Sequence, residues 1–80
     1  MAYTPHFNAA DDGGWWGGHF GERICQWTYD APTREIRVSI PGRIDGKQFT
    51  LPTEQLVDRN RVARIAIELA EQITGARYDI

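Results

Sequence analysis

One stretch near the C-terminus sets the terms for the rest of the chain. Val62, Ile65, Ala66, Leu69, Ala70 and Ile73 recur at i, i+3, i+4, i+7, i+8 and i+11, the single apolar stripe of an amphipathic helix. Asp58 or Asn60 can supply the side-chain oxygen that starts it, and Gly75 stands where a left-handed residue ends one. Thr53 to Val57, after Pro52, are expected to add a preceding turn. Ile67 lies off the stripe and is expected to extend an interface. A lone amphipathic helix must bury its stripe against another layer, and 80 residues make only one domain. That layer has to come from the residues upstream.

Those residues alternate. Ile24 to Tyr29 puts Cys25, Trp27 and Tyr29 on one face and Gln26 and Thr28 on the other. Asp30-Ala31-Pro32-Thr33 reads as a turn. Arg34 to Ile40 turns Ile36, Val38 and Ile40 inward, and Lys47 to Leu51 does the same with Phe49 and Leu51. A four-residue loop over 30–33 sets Trp27 opposite Ile36 and Cys25 opposite Val38. A two-residue Asp45-Gly46 turn sets Ile44 opposite Lys47, Gly42 opposite Phe49 and Ile40 opposite Leu51. Pro41 and Gly42 favour a longer loop at that tip. Both hairpins then share one apolar face, which a one-residue slip would destroy. The expected fold is α+β: a three-stranded antiparallel β-meander packed against one C-terminal α-helix, βββα, over residues 23–80.

Residues 1–22 read differently. Gly13, Gly14, Gly17, Gly18 and Gly21 interrupt any period of 2 or 3.6, and each interior glycine costs a helix about 1 kcal/mol relative to alanine. The same segment holds Phe7, Trp15, Trp16 and Phe20, more aromatic surface than a solvated linker carries. A Gly/aromatic-rich arm is expected, docked on its own sheet, on a second copy or on a partner.

Little here points to catalysis. Cys25 sits mid-strand beside Trp27, the setting of a buried apolar thiol with a raised pKa. His6 and His19 lie in no motif that would orient a base. With Cys25, Asp11 and Asp12 they match no metal-ligand spacing, so no metal and no cofactor is expected. The paired glycines lack the lysine and the strand–loop–helix context of a phosphate loop. The expectation is a protein that is not an enzyme. One cysteine allows no internal disulfide, and neither a leader nor an apolar run of membrane length is evident. The chain therefore reads as cytoplasmic, with no membrane partner.

Two patches suit binding. Gly14-Trp15-Trp16-Gly17 offers the residue type most enriched at interface hot spots, on a backbone that a partner can approach closely. Alternatively the rings complete a thin core, and both readings hold if one ring turns in and one out. Arg59, Asn60, Arg61 and Arg64 gather at the helix start, where positive charge opposes the macrodipole. The plain reading of that patch is a solvated face with Arg64 and Glu68 paired at i,i+4.

Three strands followed by a helix opening on Asn60-Arg61-Val62-Ala63-Arg64 resembles the C-terminal part of double-stranded-RNA-binding domains, over about residues 25 to 74. In that family a KKxAK stretch grips phosphates. The resemblance implies that Arg61 and Arg64 contact phosphate, with Asn60 in place of the first lysine. Integrase arm-binding domains, also three strands and a helix, are similar at the same level. A net charge of −2, however, is not that of a general polyanion binder.

In size, slight acidity, α+β character and exposed aromatic and charged patches, the chain resembles phage anti-CRISPR proteins, such as inhibitors of type I-C effector complexes. That resemblance implies a stoichiometric inhibitor in the host cytoplasm, blocking DNA or nuclease recruitment. Trp15 and Trp16 would anchor the contact, and Asp11, Asp12, Glu22 and Glu35 would meet a basic DNA channel. The alternative is a nucleic-acid-binding module using Arg59, Asn60, Arg61 and Arg64. Self-association through the aromatic arm, giving a homodimer, is a third reading.

Overall fold

The computed structural model describes residues 3–52 and 58–78. Along the chain run β1 (Thr4–Phe7), β2 (Gly13–Gly17), β3 (Arg23–Asp30), β4 (Glu35–Ser39), β5 (Gly46–Thr50) and α1 (Arg59–Thr74). The strands form one antiparallel sheet in sequence order, each paired with the next. The expected three-stranded meander is thus corrected to a five-stranded one. The two added strands come from the segment expected to be a Gly/aromatic-rich arm docked on its own sheet, on a second copy or on a partner. The turn expected over 53–57 lies outside the described residues.

Glycine hid β2, whereas β1 is a four-residue strand with Pro5 in it and no glycine; the glycines of β2 are what let the pair form. A Cβ on Gly14 would strike the backbone carbonyl of His6 and reach the Trp27 ring, so the bare backbone is what admits that indole on the inner face. On the outer face a Cβ on Gly17 would meet the Trp15 ring at 3.0 Å and the His6 imidazole at 3.2 Å. Each missing side chain is replaced by a neighbour's aromatic ring, which recovers the burial that glycine forgoes. The first hairpin closes through Asn8, whose N–H donates to the Gly13 carbonyl at 3.0 Å, with Asp11 in the left-handed region (φ 57°). Aspartate tolerates that conformation better than most residues.

The later hairpins keep the expected inward face but not the expected register. Trp27 pairs with Val38 and Tyr29 with Ile36, a slip of two residues from the expectation. The loop occupies Ala31–Arg34, because Arg34 takes up the left-handed conformation (φ 57°) and ties to Leu51 through backbone and side chain. Phe49 pairs with Ile36, not Gly42, a slip of six. Here Pro41-Gly42 makes the turn, with Gly42 at φ 85° and the Arg43 N–H donating to the Ile40 carbonyl. Arg43 and Asp45 then bridge the loop at 3.0 and 3.1 Å. Both slips are even, so the side-chain faces survive.

The helix runs as its pattern requires. The Asp58 carboxylate accepts the Arg61 N–H at 2.9 Å, and Gly75 closes the other end at φ 74° with its N–H donated to the Glu71 carbonyl. Its buried face is rotated from the expected stripe toward Ala63 and Ile67. Ile67 is completely buried, which overturns the expectation that it extends an interface, while Ile65 and Ile73 are only half-buried. Ala63, Ala66 and Ala70, all buried, let the helix axis lie close to the sheet. Beneath it sit Trp16, Cys25, Trp27, Ile36, Val38 and Leu51. Trp16 is also tied to the helix by a bond from its indole N–H to the Ala63 carbonyl at 2.7 Å.

Candidate functional site

The two adjacent tryptophans divide between the layers. Trp16, 4% exposed, belongs to the core, whereas Trp15 turns to the other side of the sheet and stays half-buried. That other side carries no helix among the described residues. Its centre is a short stack. His6, directly across from Trp15 on β1, lies parallel to the indole, with ring centroids 3.9 Å apart and planes 9° off. The Arg23 guanidinium sits 4.6 Å from the Trp15 ring, in cation–π range.

Arg23 reaches that position through a register irregularity. Between Trp16↔Cys25 and Gly17↔Arg23 the β3 strand holds one residue more than β2, so Arg23 emerges on the face opposite to the one plain alternation assigns it. Next to the stack, a depression of about 490 Å³ is lined by Trp15, Arg23, Gln26, Thr28, Arg37 and Ser39. Toward the β1–β2 and β3–β4 loops the same face turns acidic: Asp12, Asp30 and Glu35 line a neighbouring hollow with Arg37, which pairs with Glu35 at 2.7 Å. The surface is therefore aromatic at its centre, cationic beside that centre and anionic at one end.

The structure brings together some of the residues singled out in the sequence. Trp15, Asp12 and Glu35 share the helix-free face. Asp11 instead binds Arg59 at 3.3 Å beside the β1–β2 loop, and Glu22 caps the Phe20 N–H at 2.9 Å within the β2–β3 loop. The arginine patch separates. Arg59 leans over the Phe7 ring at 4.5 Å, while Arg61 and Arg64 stay together, beside Phe49 and Ile65, on the flank of α1 toward β5. Asn60 is exposed in the first helical turn. Arg23 and His6 were not readable as part of a surface. Alternation without the extra β3 residue hides Arg23, and His6 sits on β1, whose four residues, Pro5 among them, are too few to show an alternation.

Cys25 is fully buried at the sheet–helix boundary, and burial pushes its thiol from 9.0 up to about 12, against a smaller opposing pull from the Trp16 backbone N–H. A thiol so placed stays protonated and inert. Two consequences are measurable. Alkylation of the native protein at neutral pH is expected to wait on unfolding, and rapid labelling would contradict the burial. Below 9.0 the thiol is neutral in both folded and unfolded chains. Between 9.0 and about 12 only the unfolded chain ionises, so stability falls as pH rises through that window. Cys25→Ala is expected to flatten this part of the stability–pH curve relative to the parent.

Among the described residues, no group of three or more metal-ligating side chains gathers and no helix is long and apolar enough to cross a membrane. Comparison with protein-family models, curated proteins and solved structures gives no match.

Proposed function

We propose that this chain works by stoichiometric binding to another protein, and that the helix-free face centred on Trp15 is its contact surface. The observation that carries this reading is the His6–Trp15–Arg23 stack. The core does not call for it, because the helix packs the opposite face, yet it fixes a large aromatic ring beside two arginines in a rigid sheet. A preorganised aromatic with a flanking cation is the usual make-up of an interface hot spot. Sheet-borne side chains also lose little freedom on binding, which favours a tight complex.

The resemblance to phage anti-CRISPR proteins makes a CRISPR effector complex the first partner to try, with DNA or nuclease recruitment as the step obstructed. Asp12, Asp30 and Glu35 would lie toward a basic channel and Trp15 would anchor the contact. The second reading uses Arg61 and Arg64, which remain adjacent and exposed, as phosphate contacts.

Affinity capture of the tagged protein from its native host's lysate, with and without nuclease, separates the two. A stoichiometric protein complex that survives nuclease and tolerates Arg61→Glu with Arg64→Glu is the expected result. Nucleic acid alone, lost with those two reversals and with added salt, would favour the second reading.

A further inference from the structure

A second surface lies away from the helix-free face and does not depend on the proposed function. The sheet has two edges, and they are built differently. On β1, the Asn8 N–H donates to the Gly13 carbonyl, so by the alternation of antiparallel ladders His6 and Thr4 point their backbone groups at β2 while Pro5 and Phe7 point outward. Proline stands at an outward position and removes a donor from that edge, a common guard against edge pairing.

On β5 the Leu51 N–H donates to the Arg34 carbonyl at 3.0 Å, so Phe49 and Lys47 bond inward to β4, and Gly46, Gln48 and Thr50 present their N–H and C=O groups outward. All five residues of β5 are exposed, and its outer edge meets no strand among the described residues. Lys47, the one charge on this strand, is drawn back over the helix layer by a 3.0 Å bond to Gln72.

We propose that β5 is a pairing edge for a second copy of this chain, joined antiparallel about a twofold axis at Gln48. The register follows from the outward groups. With Gln48 opposite Gln48 of the second copy, Gly46 falls opposite Thr50, and all three outward residues donate and accept across the junction. The same register sets Lys47 opposite Phe49 of the second copy on the helix side. Phe49 is 42% exposed, and the aliphatic stem of a lysine can cover such a ring. Along the groove between Phe49 and α1, Arg61 and Arg64 come first and Glu68 follows. A twofold axis reverses that order, so the groove is self-complementary in charge as well as in backbone bonding. The product is one continuous sheet with both helices on the same side and two Trp15 surfaces on the other.

Sedimentation equilibrium over a range of concentrations tests this. The parent chain is expected at twice the monomer mass at high micromolar concentration. Gln48→Pro removes an outward N–H without touching the β4 ladder, and is expected to weaken the dimer by on the order of tenfold or more, with the thermal midpoint unchanged at dilutions where both chains are monomeric. Gln48→Lys and Gln48→Glu place like charges across the axis. Each alone is expected to shift toward monomer, and an equal mixture is expected to recover dimer, because opposite charges then face each other. Should Gln48→Pro fail to fold, the lysine and glutamate pair decides by itself. A parent chain that stays monomeric, or a dimer indifferent to these substitutions and to their mixing, would overturn the proposal.

Discussion

Trp15→Ala is expected to weaken partner capture by about 2–4 kcal/mol, on the order of thirty-fold to a thousand-fold, as truncation of a central aromatic anchor does. Its cost to folding is smaller. The ring lies outside the core, held by the His6 stack, the Arg23 cation–π contact and the floor at Gly17. Losing those contacts costs about 1–2 kcal/mol, since an aromatic pair and an exposed cation–π contact each contribute about 1 kcal/mol or below. Binding and thermal stability measured on the same preparation therefore separate. Loss of binding with an intact fold, and a midpoint lowered by roughly 4–8 °C per kcal/mol lost, is the expected pair of results. Unchanged binding would remove Trp15 from the contact surface.

The neighbouring substitution has the opposite signature. Trp16→Ala removes a ring that is 4% exposed, together with the bond to the Ala63 carbonyl, and is expected to cost about 3–5 kcal/mol. In a domain this small that approaches the whole stability of the fold. The variant should be largely unfolded near its parent's working temperature, by far-ultraviolet circular dichroism and by chemical denaturation. Trp16→Phe keeps most of the apolar area and loses the donor. It is expected to fall between, about 1–2 kcal/mol below the parent, because the Ala63 carbonyl still accepts within the helix. A Trp16→Ala chain as stable as the parent would contradict the assignment of this indole to the core.

Adjacent residues of one type with opposite roles show where sequence reasoning reaches and where it stops. The period of two makes neighbours diverge as soon as the segment is known to be a strand, but glycine-weighted propensity argues against a strand at Gly13–Gly17. What overrides it is tertiary: Trp27 fills the space above Gly14, and His6 with Trp15 fills the space above Gly17. Neither replacement ring is a local feature. The helix was legible because its period, its Asp58 cap and its Gly75 terminus agree with one another. The rotation of its face toward Ile67 depends on three alanines seating it close to the sheet, which a hydrophobic stripe does not record. The inward faces of β3, β4 and β5 were legible by parity alone, which is why slips of two and six residues left them standing. Loop conformations at Arg34 and Gly42 decided the actual register. Arg23 was out of reach, because one extra residue on β3 reverses its face.

The acidic end of the helix-free face has a role in this picture that differs from the aromatic centre. Asp12, Asp30 and Glu35 are exposed or half-exposed on one hollow, so they act over distance and are screened by salt. They would speed encounter with a basic partner, whereas Trp15 and Arg23 would hold the complex once formed.

The most direct measurement is site-specific photocrosslinking within the captured complex. A photoreactive side chain is placed in turn at Gln26 and Ser39 on the helix-free face, and at Arg61 on the exposed side of the helix; all three residues are solvent-exposed. Crosslinks to the partner protein from Gln26 and Ser39, with none from Arg61, are the predicted result. Crosslinks confined to Arg61, to protein or to nucleic acid, would contradict the assignment of the sheet face as the contact surface.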